Sequence, residues 1–145
     1  MNTILPSLLL LAAVAAAQGG EPAIEVTDAA ALPVESAAWG TLQWVCNAKL
    51  MPGAQQTVGL ATILPGKSNP IHFHPNCEEI LHVLSGQGIH SIDGRTVALK
   101  AGMTIRVPAG AKHNLVNTGT EPLKTVVSFS SGDRKTVFLE QAKAK

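Results

Sequence analysis

The feature that most constrains the fold is how often the chain turns. Glycine and proline divide it into short segments, and 13 Gly and 9 Pro among 145 residues are many for a helical protein. Asp93-Gly94, between two apolar segments, is typical of a two-residue hairpin turn because both positions tolerate a positive φ. Many short strands with frequent turns predict an all-β sandwich or barrel. The predicted strands are 41–46, 57–64, 80–84, 88–92, 96–99, 104–107 and 123–129, with a short helix or strand within 135–145.

Length and charge limit the class of protein. A chain of 145 residues is long enough for one domain and leaves no room for a second core of useful size. Eleven basic and ten acidic residues give a net charge of +1, and no basic run is present. We therefore expect no nucleic-acid partner.

The amino terminus has the composition of an export signal. Residues 1–20 carry no charged side chain, and four leucines are followed by a run of small residues that includes Ala15 and Ala17. This pattern predicts a secretory signal over residues 1–17 and a single domain over 18–145 with its core at about 40–130. No Lys or Arg precedes the apolar run, so an uncleaved anchor or a plain hydrophobic tail are the alternatives. An anchor needs about twenty apolar residues, and the apolar stretch of this chain is shorter than that, which favours the signal. We expect a secreted protein, extracellular or periplasmic, without membrane attachment after cleavage.

Two cysteines leave one question open. In an oxidising compartment Cys46 and Cys77 could form a disulfide that closes a loop of about thirty residues. They could equally be two buried free thiols that pack as small apolar side chains.

Histidine and glutamate side chains are spaced like the ligands of a metal site. In an extended backbone His72 and His74 point to the same face, because alternate residues share a face. Glu79 follows a Pro-Asn turn that lets the next strand return to the same point, and His113 follows a second turn. Three imidazoles and one carboxylate suit a divalent transition metal. The sequence therefore predicts a metal site at His72, His74, Glu79 and His113.

At these residues the chain resembles the cupin superfamily. The first cupin motif, Gly-x5-His-x-His-x3,4-Glu-x6-Gly, matches Gly66, His72, His74, Glu79 and Gly86. The second, Gly-x5-Pro-x-Gly-x2-His-x3-Asn, matches Gly102, Pro108, Gly110, His113 and Asn117. The resemblance implies a double-stranded β-helix, or small jelly-roll barrel, that holds one metal ion on the two histidines and the glutamate of the first motif and the histidine of the second. It also implies a homodimer.

Other residues either compete for the metal-ligand roles or are expected to have structural or surface roles. Glu78 competes with Glu79, but the spacing to Gly86 favours Glu79. His82 should face the other side of its sheet, and we expect His90 to be an exposed or half-buried strand residue. We expect Asn117 to be a turn or hydrogen-bonding residue. The remaining candidates are Trp39, Trp44 and Phe73, expected in the core, and Lys67 and Lys112, expected as solvated charges.

The resemblance and the export signal together suggest a function. We expect a secreted mononuclear metal oxidoreductase that uses dioxygen or peroxide on a plant-derived compound, such as a polysaccharide or a polyphenol. Copper is the first choice because it stands highest in the affinity order, and Fe, Mn, Ni or Zn are possible. Glu79 is either a ligand or the catalytic proton-handling group. The alternatives are a non-redox metal-dependent isomerase or lyase, and a small-ligand or metal-binding protein without turnover.

Overall fold

The computed structural model describes residues 24–139, which form an almost entirely β structure. Eleven strands and one 3-10 turn (Ala29–Ala31) make up this part of the chain. The all-β class predicted from the sequence is therefore confirmed. The strands are β1 (Glu35–Ala37), β2 (Gly40–Cys46), β3 (Thr57–Ile63), β4 (His72–Phe73), β5 (Glu79–Ser85), β6 (Gln87–Ile92), β7 (Arg95–Lys100), β8 (Thr104–Val107), β9 (His113–Asn117), β10 (Leu123–Phe129) and β11 (Val137–Phe138).

The strands form two antiparallel sheets. The six-stranded sheet has the order β1-β2-β3-β10-β5-β8, and the five-stranded sheet has the order β11-β4-β9-β6-β7. Buried side chains of both sheets pack into one core, with Trp39, Trp44 and Ile105 packed against it. This core is what holds the two sheets together. It consists of Ile63, Cys77, Leu81, Val83, Leu99, Leu115, Leu123, Val127 and Phe129.

The predicted hairpin joins β6 to β7. Asp93 and Gly94 have φ values of 47° and 79°, as a turn of this kind requires. Gly86, which ends β5, also has a positive φ of 84°, and a Cβ there would lie 2.9 Å from the Leu123 Cα. The conformation and the close approach both require glycine at this position.

Four strands were not among the seven predicted segments. β4 and β9 are short and carry histidines in place of a run of β-branched residues, while β1 and β11 lie near the ends of the chain. Strand β11 pairs with β4 through Val137 and Phe138, so a strand is the correct alternative for this part of 135–145. The assignment of 18–145 to one domain stays a prediction.

The two cysteines are free thiols in the structure. Cys77 is 3% exposed within the core, and the Cys46 thiol points at the Gln56 carbonyl oxygen at 3.7 Å. Cys77 is therefore a buried free thiol, as in the second alternative, whereas the free thiol of Cys46 is only half-buried.

The predicted export signal, residues 1–17, lies outside the described residues. Among residues 24–139, no helix has the length and apolar character needed to cross a membrane.

Candidate metal centre

The predicted ligands come from both sheets and meet between them. His72 and His113 are register partners on β4 and β9 of the five-stranded sheet, and His74 follows directly after β4. Glu79 is the first residue of β5 in the six-stranded sheet. The side chains of His72 and His74 converge because they alternate along one extended segment.

The four side chains form a compact cluster. One ligand atom from each of them lies within 4.8 Å of the others. His113 Nε2 is 3.0 Å from Glu79 Oε2, and His74 Nε2 is 3.3 Å from the same oxygen. His74, Glu79 and His113 are buried, and His72 is half-buried. The structure thus brings together all four residues that the sequence predicts as metal ligands.

Backbone carbonyls fix the orientation of each imidazole. Nδ1 of His72 donates to the Pro70 carbonyl at 2.9 Å, that of His74 to Lys135 at 2.8 Å, and that of His113 to Ala111 at 2.9 Å. Because a carbonyl oxygen only accepts, each Nδ1 carries a proton. The Nε2 atoms are therefore left to bind a metal, which is the usual arrangement around metal-ligating histidines.

The environment of His74 Nε2 fits a metal ion. This buried nitrogen has no hydrogen-bond partner, although the Glu79 carboxylate is close to it. Because the Lys135 carbonyl holds Nδ1, Nε2 is the ring nitrogen that faces the Glu79 oxygen, and a cation bound to both atoms would satisfy them. Three imidazole nitrogens and one carboxylate oxygen could therefore hold a divalent transition metal.

The charges in the cluster are strongly coupled. Burial raises the pKa of Glu79, but the hydrogen bond from His113 and the nearby His74 ring outweigh it and lower the pKa from 4.5 to about 2. Burial alone would lower the pKa of His113, yet its hydrogen bond to Glu79 raises it. Burial and the charge of His113 lower the pKa of His72 from 6.5 to about 4. In the cluster, the Glu79 carboxylate and the protonated form of His113 therefore stabilise each other.

The competing residues lie elsewhere, as predicted. The half-buried Glu78 accepts a hydrogen bond from Arg106 Nε at 2.7 Å instead of joining the cluster. His82 contacts the Thr104 hydroxyl at 2.8 Å. The Asn117 side-chain amide donates to the carbonyls of Ile63 and Glu121, both at 2.8 Å, so it is a structural hydrogen-bonding residue.

The expectation for His90 was wrong. This side chain is 1% exposed, and its ring stacks on His113 with centroids 5.7 Å apart and planes at 15°. Its neighbour Ile89 is the exposed residue, at 40%. The register of β6 with β9 places His90 opposite the core residue Leu115, which accounts for its burial.

A cavity of about 440 Å³ lies beside the cluster. His72, His74 and Glu79 form part of its wall, and most of the remainder is apolar. Trp39 and Trp44 are only partly buried and line this cavity as well as packing on the core. Two residues that were not predicted as site residues, Arg134 and Thr136, line the cavity from the segment between β10 and β11. Their one sequence signal is a polar segment directly after the last predicted strand.

Comparisons with known proteins agree with this geometry. The cupin domain family model matches residues 59–129. A germin-like protein of Oryza sativa is 32% identical over 93 residues, which cover 59% of this chain and 41% of that protein. An oxalate oxidase of Triticum aestivum is 34% identical over 83 residues, covering 52% of this chain and 37% of that protein.

A solved structure shows the same fold. The structure that describes the Mn(II) centres of Bacillus subtilis oxalate decarboxylase superposes with a TM-score of 0.67 and 26% identity, covering 72% of this chain and 29% of that one. The chain spans 37–58% of the length of the curated relatives it matches. The two motifs, the two-sheet barrel and these similarities agree: the chain belongs to the cupin superfamily.

Proposed function

We propose that this protein is a mononuclear metal-dependent oxidoreductase that uses dioxygen or peroxide on a small organic molecule. One observation carries the proposal: His72, His74 and Glu79 form part of the wall of a mostly apolar cavity. Structural metal sites are closed, whereas catalytic ones leave room for a substrate beside the ligands. A cavity of about 440 Å³ provides that room.

The donor set is compatible with a redox-active ion. Imidazole nitrogens suit Cu and Fe as well as Zn and Ni, and a carboxylate oxygen adds affinity for Mn. Copper, the first choice from the sequence, remains in the proposal beside Mn and Fe, and the Mn(II) centres of the Bacillus subtilis neighbour support Mn. When bound, such an ion supplies a Lewis-acidic centre that can exchange electrons with an oxidant and a substrate.

The electrostatics support a ligand role for Glu79. With its pKa lowered to about 2, the carboxylate is ionised over the whole neutral range. An ionised carboxylate of such low pKa is a good metal ligand and a weak proton acceptor. We therefore propose that Glu79 binds the ion and that it is not the proton donor of the reaction.

The cavity also bears on the substrate. It lies between the sheets and has the volume of a small-molecule site, which favours a compound the size of a simple polyphenol over a polysaccharide chain. Export remains part of the proposal through the composition of residues 1–17.

A homodimer is also proposed. Ile80 and Leu84 alternate along β5 and are 37% and 52% exposed, so they could pack against a second copy. Sedimentation velocity of the exported protein should give twice the mass of its single chain, and a species with the mass of one chain would contradict the dimer.

The test of function uses the untagged protein, purified after export by its own signal. Elemental analysis and electron paramagnetic resonance should find one Cu, Mn or Fe per chain. Uptake of dioxygen, or consumption of peroxide, with catechol as the test substrate should require that ion. His113→Ala should lose both metal and uptake, whereas His82→Ala, which removes a histidine outside the cluster, should keep both.

Two results would overturn the proposal. One is full occupancy by Zn or Ni without redox activity, which would favour the isomerase or lyase alternative. The other is uptake by His113→Ala equal to that of the unmodified protein, which would place the chemistry outside this site.

A further inference from the structure

Arg134 brings a positive charge to the wall of the cavity. It lies in the segment between β10 and β11, outside both cupin motifs. Its guanidinium carbon is 4.2 Å from the centroid of the Trp44 ring and 4.9 Å from that of Phe129. Both contacts are of the cation–π kind, so two aromatic rings hold the group in place.

Arg134 forms no close ion pair within the described part of the chain, although its charge interacts at longer range with Glu79 and Glu35. No carboxylate there lies within 4.0 Å of Arg134, including Glu35, which also lines the cavity and accepts a hydrogen bond from Trp44. By contrast, Arg106 pairs with Glu78, and Lys135 with Asp133. An arginine held at a cavity wall without a carboxylate is available to an anionic ligand.

The hydrogen-bonding capacity of Arg134 is only partly used. Nη1 donates to the Thr136 hydroxyl, while the buried Nε has no partner. A buried donor without a partner is unfavourable, and a ligand oxygen could satisfy it. The fork of N–H groups on a guanidinium matches a carboxylate with two parallel hydrogen bonds.

Arg134 is close to the metal cluster. The Phe129 ring that it contacts also packs edge-on against the His74 ring, with centroids 4.8 Å apart. A ligand anchored at Arg134 would therefore have one end near the cluster side of the cavity. The remaining wall is mostly apolar and includes both tryptophans of the chain.

We propose that Arg134 binds the carboxylate of an organic acid whose apolar, planar body lies in the cavity against Trp39 and Trp44. The inference rests on the proposed function, because it names the substrate class of the same site. Oxalate, the compound in the name of the wheat relative, is a small dianion without an apolar body and would leave most of this wall uncovered. The chemistry of the cavity fits a larger monocarboxylate.

Ligand binding can be followed by tryptophan fluorescence, because both tryptophans line the cavity. We would titrate the protein as purified, and again after chelation of its metal, with benzoate and with benzamide, its neutral analogue of similar shape. Benzoate should bind more tightly than benzamide. Arg134→Gln should weaken benzoate about 10- to 100-fold, as expected for a hydrogen-bonded ion pair, and leave benzamide unchanged. Phenyl phosphate in the same titration separates a carboxylate site from a phosphate site.

Arg106→Gln is the matched control, because it removes the same charge from an exposed position on β8. It should leave benzoate binding unchanged. If circular dichroism shows that Arg134→Gln does not fold, Arg134→Lys is the second variant. It keeps the positive charge, loses the paired N–H groups of the guanidinium and should bind benzoate several-fold more weakly than the unmodified protein.

Three results would overturn the inference: equal affinity for benzoate and benzamide, tighter binding of phenyl phosphate than of benzoate, or unchanged benzoate affinity in the Arg134 variants. Because binding is measured with and without metal, and not through oxygen uptake, it can succeed where the proposed reaction fails.

Discussion

The two ends of the cavity are built in different ways. At the metal end, His72, His74 and His113 are each fixed by a hydrogen bond from Nδ1 to a backbone carbonyl. At the arginine end, Arg134 is held by contacts with aromatic rings and by one hydroxyl. The hydrogen bonds fix the orientation of each imidazole ring, whereas the contacts of Arg134 leave hydrogen-bond donors unused. The metal end is therefore suited to hold an ion in a fixed geometry, and the arginine end is suited to bind a ligand.

The largest expected effect comes from removing a ligand at the metal end. His113→Ala should abolish stoichiometric metal binding, since it removes one of four ligands and leaves a buried Glu79 without its hydrogen-bonded partner. Elemental analysis after dialysis against the metal measures this. His82→Ala is the control and should bind one ion per chain. Full occupancy in His113→Ala would mean that the cluster is not the metal site.

The metal end could be predicted from the sequence because its information is local. His72 and His74 share a face through strand alternation, and the turns before Glu79 and His113 are marked by proline and glycine. Most strand limits were predictable for the same reason. The turn at Asp93-Gly94 fixes the register of β6 and β7 through two adjacent residues.

The arginine end could not be predicted because it depends on long-range pairing. Arg134 reaches the cavity only because β11 pairs with β4, some sixty residues earlier in the chain. Nothing near Arg134 in the sequence indicates that partner. The burial of His90 could not be predicted for a similar reason, because it follows from the register of β6 with β9 and not from the local sequence.

Removing the C-terminal segment should affect both ends of the cavity. A chain that ends after Gly132 loses Arg134 and also the Lys135 carbonyl that orients His74. Metal affinity should fall about 10- to 100-fold, as is usual when an orienting partner is lost, and benzoate binding should disappear. Competition titration with a chelator and tryptophan fluorescence measure the two effects.

The control for this truncation is a chain that ends after Leu139, which keeps β11 and every contact described above. It should behave as the full chain does. If the shorter chain keeps full metal affinity and a native circular dichroism spectrum, the Lys135 carbonyl has no part in positioning His74.

The two ends should also differ in their response to pH. Glu79 raises the pKa of His113, so a proton competes with the metal below that raised pKa. Metal affinity should therefore fall as the pH is lowered, by up to about tenfold per pH unit for one displaced proton. Arg134 remains protonated at neutral pH, so benzoate affinity should stay constant between about pH 6 and 8. Parallel titrations at several pH values test both, and a metal affinity independent of pH would contradict competition between a proton and the metal at His113.

The smallest expected effect concerns the contact between the two ends. The Thr136 hydroxyl accepts a hydrogen bond from Arg134 and lies 3.2 Å from Nδ1 of His74. Thr136→Val keeps the shape and removes this link. Because the Lys135 carbonyl still accepts from His74, metal affinity should change by about tenfold or less. Benzoate affinity should change little, since the aromatic contacts of Arg134 remain. A double-mutant cycle with Arg134→Gln then measures the coupling, and additive effects on metal affinity would show that the two ends of the cavity act independently.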